Sequence, residues 1–183
     1  MSDLADAQIL VVDDNEDNRF TLGRRLKREG YKSIDYAEDG AVALQKLRAK
    51  PYDLVLLDIM MPGIDGFQVL EEVKGDQRIS EAPIVMISAL SEMDAVVRAI
   101  ELGAEDHLPK PFNPILLRAR VNSTLEKRRL RAIALERART TDSSTGLPNK
   151  RGFMELMRKA AARSQELSDD EGHRTAAVLR IDV

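Results

Sequence analysis

Short apolar runs alternate with amphipathic stretches of ten to fifteen residues from the N-terminus to about residue 125, and this alternation limits the fold more than any other feature. It is the pattern of repeated strand–helix units wound into a parallel sheet. Strands are predicted near 8–12, 33–36, 53–58, 83–88 and 106–109, and helices near 16–29, 40–49, 66–74, 92–102 and 114–139. The fold class is therefore α/β, a doubly wound five-stranded parallel sheet. Gly30, Gly75 and Gly103 fall just past three of those helices, where a left-handed residue ends a helix cheaply. Asn113-Pro114 supplies a capping side chain and then a residue whose missing N–H is harmless in the first turn.

The strand ends carry the chemistry. Asp13 and Asp14 follow Ile9–Val12, Asp58 follows Leu54–Leu57, Ser88 follows Ile84–Ile87, and Lys110 lies just beyond His107 and Leu108. Ligands bind outside the carboxyl ends of strands in an open parallel sheet, so these side chains converge there. Clustered carboxylates raise one another's pKa or require a cation between them. All-oxygen ligation with room for water suits magnesium, and manganese is a second candidate. Asp58 can then attack a phosphoryl donor, with Lys110 and the metal offsetting negative charge and Ser88 donating a hydrogen bond. Singly, each of these residues would be an ordinary strand terminator; together they read as a site.

Two other ligands fail on residues. The run Asp13-Asp14-Asn15-Glu16-Asp17-Asn18 starts like a calcium-binding EF-hand loop, but the sixth position is Asn18 rather than Gly and the twelfth is Arg24 rather than Glu. A flavin phosphate would want N–H and hydroxyl donors where the first strand delivers two anions. A magnesium-dependent phosphatase with an aspartyl nucleophile would want an acid/base Asp two residues after Asp58, where this chain has Met60.

Composition excludes further classes. The sequence has no cysteine and two histidines far apart, His107 and His173, which rules out disulfides and argues against a zinc site. No apolar run approaches the roughly 20 residues of a spanning helix, and the N-terminus lacks a signal-peptide pattern, so a cytoplasmic protein without membrane contact is expected. Charge is segregated: residues 1–117 carry 13 Lys/Arg against 22 Asp/Glu, and residues 118–139 carry 8 against 2. An acidic body with a short basic rod is not expected to bind nucleic acid directly.

Residues 115–139 contain no Gly or Pro, so the fifth helix is expected to leave the body as a stalk. Leu117, Val121 and Leu125 form an i, i+4 stripe continued less regularly by Leu130, Ile133 and Leu135. That stripe fits either a dimeric coiled coil or a helix lying on its own domain. A second unit opens after Thr140, with a turn at Gly146–Asn149, a helix near 150–166, a loop at 168–173 and a strand at Ala176–Val183.

Over about residues 6–125 the sequence resembles the receiver domains of two-component response regulators. The resemblance rests on Val11-Val12-Asp13-Asp14-Asn15, Leu56-Leu57-Asp58-Ile59-Met60-Met61-Pro62-Gly63-Ile64-Asp65-Gly66, Ile87-Ser88-Ala89 and Leu108-Pro109-Lys110-Pro111-Phe112. It implies a flavodoxin-like sheet of order 2-1-3-4-5 and phosphorylation of Asp58 by a histidine kinase or phosphotransfer protein. It also implies a magnesium site of Asp13, Asp14, Asp58 and the Met60 backbone carbonyl, with Asp14 touching the metal directly and Asp13 through water. Lys110 would contact the phosphoryl group, Ser88 would be the switch hydroxyl, and the bond before Pro111 would be cis. His107 stands where the family usually has a Tyr or Phe that moves on phosphorylation. Pro109 lacks a backbone donor, which is tolerable in an edge strand.

Residues 142–151, Asp-Ser-Ser-Thr-Gly-Leu-Pro-Asn-Lys-Arg, are similar to the opening motif of diguanylate cyclase (GGDEF) domains, and Val178–Val183 is similar to their first strand, with Asp182 and the Val183 carbonyl at metal-holding positions. The expected organisation is a receiver domain at 1–125, a helical linker at 126–141 and an incomplete GGDEF-like segment at 142–183. The signature loop does not occur in the sequence, so the chain is expected to be a regulatory phosphoacceptor rather than a cyclase, cut or truncated before that loop. Its fifth helix would pass the phosphorylation state to an output domain through a phosphorylation-dependent homodimer. The alternative is a phosphorylation-dependent adaptor with no catalytic output.

Overall fold

The computed structural model describes residues 4–89 and 93–166. Eleven labelled elements follow a short 3-10 turn: β1 (Gln8–Val12), α1 (Glu16–Arg28), β2 (Ser33–Ala37), α2 (Gly40–Ala49), β3 (Leu54–Asp58), α3 (Gly66–Gly75), β4 (Ile84–Ala89), α4 (Met93–Glu101), β5 (Asp106–Lys110), α5 (Pro114–Thr140) and α6 (Lys150–Glu166). The predicted strand at Ala176–Val183, the loop at 168–173, and Asp182 with Val183 lie outside the described residues. Two units divide the chain, Met1–Arg129 and Leu130–Val183.

In the first unit the five strands pair in parallel in the order β2-β1-β3-β4-β5. The doubly wound reading of the sequence is thus met. Alternation along each strand divides the apolar residues between two cores. Leu10, Val12, Val55, Leu57, Ile84 and Met86 face α2, α3 and α4. Ile9, Val11, Leu54, Leu56, Val85 and Ile87 face α1 and α5. β1 and β3 are adjacent, with Val12 opposite Leu57, so the residues that follow them emerge side by side at one rim. Pro109 sits on β5, at the sheet edge, where its missing donor leaves no central ladder bond broken.

The stripe on α5 resolves at its first half: Leu117, Val121 and Leu125 are buried in the second core, so there the helix lies on its own domain. Leu130, Ile133 and Leu135 are exposed. Asn113 caps α5, its Oδ1 accepting the Ile115 and Leu116 N–H groups at 2.9 and 3.3 Å. Gly30 and Gly103 end their helices with φ of 97° and 94°. Gly75 does not behave as expected. It closes α3 as a helical residue, and the cap is Asp76 in an extended conformation with φ of −100°. Asp76 explains the difference, because its carboxylate accepts the Arg78 N–H at 3.0 Å and turns the chain without a left-handed residue.

In the second unit the motif at 142–151 forms a closed turn. Asp142 accepts hydrogen bonds from the Ser144 and Thr145 N–H groups and the Thr145 hydroxyl at 3.1, 3.0 and 2.9 Å. Gly146 takes φ of 69°, and an antiparallel bridge joins Thr141 to Pro148. Asn149 then caps α6 through the Gly152 N–H at 3.0 Å.

Gly66 brings α3 against the end of β3. A Cβ there would stand 2.2 Å from the Asp58 carbonyl oxygen and 2.8 Å from the Ile59 Cα, backbone atoms that cannot step aside. A Cβ on Gly75 would meet nothing within 4 Å. The same substitution at the two sites is therefore expected to act in opposite directions in urea unfolding: Gly66→Ala lowers stability by ~1–3 kcal/mol, and Gly75→Ala raises it by up to ~1 kcal/mol.

Candidate functional site

Asp13 and Asp58 leave neighbouring strands at the rim and are almost completely buried, at 0% and 2% exposure, whereas Asp14 is exposed. One carboxylate oxygen from each of the three lies within 4.8 Å of the other two. Burying anions this close is costly unless they are compensated. Lys110, delivered by β5, supplies the compensation: its Nζ lies 2.7 Å from Asp58 Oδ2 and 2.9 Å from Asp13 Oδ2. The Lys110–Pro111 bond just beyond is cis.

Burial pushes the Asp58 carboxyl up to about 6; the Lys110 hydrogen bond opposes this, the Asp13 charge adds to it, and the Met60 backbone N–H draws it back slightly. Burial, the largest single influence on the Lys110 ammonium, acts to lower its pKa, but the Asp58 and Asp13 carboxylates beside it together outweigh burial and raise it above its ordinary value. Met60 places its backbone beside Asp58 and its side chain in solvent, 66% exposed. Ser88 is buried, and its hydroxyl finds no hydrogen-bond partner among the described residues. A buried hydroxyl without a partner at the end of β4 can donate to an acceptor brought to the rim. His107 is half-buried on β5, and burial lowers its pKa below the usual imidazole value while the Asp106 charge acts upward.

The rim thus brings together Asp13, Asp14, Asp58 and Lys110, with Ser88 and the Met60 backbone on the adjoining strand end and loop. His107 stands on β5 before Lys110. The donor set is all oxygen, doubly or triply anionic, and partly open to solvent through Asp14, which fits a hard divalent cation. Sequence reasoning overlooked α1's contribution. Asn18 donates from its amide to both oxygens of Asp13 at 3.0 and 3.2 Å, and Arg19 donates to the Asp13 and Asp14 carbonyls at 2.7 and 3.0 Å. Arg25 donates to the Phe112 carbonyl, just after the cis bond, at 2.5 Å. Nothing in the sequence marked them, because they stand along a helix that begins only at Glu16 and reach the rim through the fold.

The profile of the response regulator receiver domain matches residues 9–122, and the chain belongs to that family. It is 42% identical over 117 residues to the response regulator PleD of Caulobacter vibrioides (strain NA1000 / CB15N), covering 64% of this chain and 26% of that protein. It is 41% identical over 120 residues to the "Probable transcriptional regulator ycf27" of Porphyridium aerugineum, covering 66% of this chain and 48% of that protein. The solved receiver domain of NtrX from Brucella abortus superposes with a TM-score of 0.61 at 36% identity, over 65% of this chain and 98% of that one. The chain spans less than half the length of either curated relative.

A carboxyl raised by folding favours the folded state below its ordinary pKa, near 4, and loses that advantage as pH rises through its folded value of about 6. In metal-free buffer the stability difference between Asp58→Asn and the wild type is therefore expected to move in the variant's favour by ~2 kcal/mol between pH 4 and pH 7.5. Urea unfolding in the presence of a chelator at the two pH values measures it, and a constant difference would show that Asp58 ionises in the folded protein as it does in the unfolded chain.

Proposed function

We propose that Asp58 accepts a phosphoryl group from the phosphohistidine of a histidine kinase or phosphotransfer protein. The observation that carries this reading is the Lys110 ammonium lying between Asp58 and Asp13, beside an exposed Asp14. In the step, an Asp58 carboxylate oxygen forms an O–P bond as the donor's P–N bond breaks. The departing imidazole takes up a proton, and an acyl phosphate remains on the protein. Lys110 turns from the lost carboxylate charge to the phosphoryl oxygens, and Ser88 donates its unpartnered hydroxyl to one of them. Asp13, Asp14, Asp58 and the Met60 carbonyl would hold Mg2+, or Mn2+, which when bound offsets charge on the transferring group. Phe20 near the start of α1, Met60 in the loop after β3 and Ile115 at the start of α5 are exposed apolar side chains that offer a partner helix contact area.

Because the product stays on the chain, we class it as a regulatory acceptor rather than an enzyme, with Ser88 and His107 as the groups that register the new charge. We divide it into a receiver at 1–125, a helical linker at 126–141 and the start of a GGDEF domain at 142–183. The Asp142-closed turn supports the last assignment, since it gives the motif that prompted it a definite structure. In this reading the phosphorylated form dimerises and α5 passes its state to a cyclase output. Curated relatives carry names as different as PleD and a transcriptional regulator, so the receiver alone does not select the output.

Incubation with a small acyl phosphate and Mg2+, followed by intact mass, is expected to add one phosphoryl group to the wild type and none to Asp58→Asn or to protein treated with a chelator. Equal labelling of wild type and variant would remove Asp58 from the role.

A further inference from the structure

Asp13 receives more protein hydrogen bonds than the other two carboxylates of the rim, and it is fully buried. Its Oδ1 receives the Asn15 N–H at 2.9 Å and the Asn18 amide at 3.0 Å; its Oδ2 receives the same amide at 3.2 Å and the Lys110 ammonium at 2.9 Å. A carboxylate has roughly four lone-pair sites, so these contacts use the set. Asp14, by contrast, has no side-chain hydrogen bond among the described residues and faces solvent, and Asp58 spends one oxygen on Lys110. The three carboxylates are therefore not equivalent toward a cation.

We propose that Asn18 is a positioning residue: its side-chain amide occupies the lone pairs of Asp13, keeps that carboxylate as the anchor of Lys110, and so enforces the indirect part in metal binding that the family resemblance gives it. The inference rests on the metal-dependent phosphoacceptor reading above. Arg19 completes the arrangement by fixing the backbone of the acidic pair from the same helix. Asn15 prepares it, because its side chain caps α1 through the Asn18 N–H at 3.1 Å and so sets the first turn on which Asn18 stands. The division of labour has a chemical purpose. A cation held by two side-chain carboxylates keeps more open positions and more residual charge for phosphoryl oxygens than one held by three.

Asn18→Leu keeps the side chain's size and removes both donors. Lone pairs freed on Asp13 are then expected to reach the ion, so calorimetric titration of the full chain with Mg2+ should show binding about three- to tenfold tighter, from the added anionic ligand. Labelling by a small acyl phosphate should instead slow about tenfold at saturating donor and Mg2+, with the donor's half-saturation little changed, because Lys110 has lost its fixed anchor. Asn18→Ser, which can donate one hydrogen bond, should fall between wild type and Asn18→Leu in both measurements, and it serves as the test should the leucine variant not fold. A loosened fold would weaken metal binding and slow labelling together. That result, or no change in either quantity, overturns the role of Asn18. Failure of the wild type to bind Mg2+ or to be labelled would instead overturn the phosphoacceptor reading itself.

Discussion

The Lys110 ammonium, held between the carboxylates of Asp58 and Asp13, is the interaction on which the rim of this sheet depends. Two nearly inaccessible aspartates at adjacent strand ends would repel each other in a poorly solvated environment, and removal of a single partner from such a set is strongly destabilising. Lys110 can reach both because β5 sits at the sheet edge while β1 and β3 are neighbours near its middle, so the cation crosses in front of β4. The wound topology thus brings together residues far apart in the chain. The Asp58 carboxyl, still raised to about 6 with that cation in place, shows that the compensation is incomplete. An incompletely compensated anion is what a second cation would relieve.

The strands and the acidic rim were legible in the sequence because they follow from period and position: apolar runs alternate with helical stretches, and the polar residues stand at strand ends, whereas the strand order came only with the family resemblance. The α5 stripe was ambiguous for a physical reason. Leu117, Val121 and Leu125 repeat every four residues whether a helix packs on a sheet or on another helix, and only the sheet face that lacks any cover other than α1 decides for the former. Gly75 misled in a related way, since glycine permits a left-handed helix end without compelling one, and Asp76 provided another route out of α3. Asn18 and Arg19 were invisible as site residues. On a helix that begins with Glu16 and Asp17 they read as ordinary polar residues facing water, and their reach back to Asp13 depends on how the loop between β1 and α1 turns.

Polar contacts hold α5 in the first unit alongside its buried stripe. Within the first unit Arg118 pairs with Glu29 at 3.2 Å, Asn122 accepts the Tyr31 hydroxyl at 2.6 Å, and Arg128 pairs with Asp53 at 2.9 Å. These contacts tie one side of the helix to α1 and to the base of the sheet. On the other side Arg120 reaches Asp106 at 2.7 Å, the residue that precedes His107 on β5. The helix is thereby bound both to the part of the domain far from the rim and to the strand that carries Lys110.

Magnitudes rank these contacts by how much they hold α5 in place. A partly exposed ion pair such as Arg120–Asp106 contributes ~0.2–1 kcal/mol, and coupling between two sites commonly amounts to about 1–3 kcal/mol. Breaking that pair alone falls short of the larger part of that range. Displacing the buried stripe does not, because a fully buried leucine or valine contributes ~1.5–3 kcal/mol. Any rearrangement that moves α5 enough to matter must therefore repack Leu117, Val121 and Leu125 against Val85, Ile87 and Leu108, the strands that also carry Ser88 and Lys110. The apolar face shared by β4, β5 and α5, more than the ion pairs around it, holds the first half of α5 against the strands that carry Ser88 and Lys110.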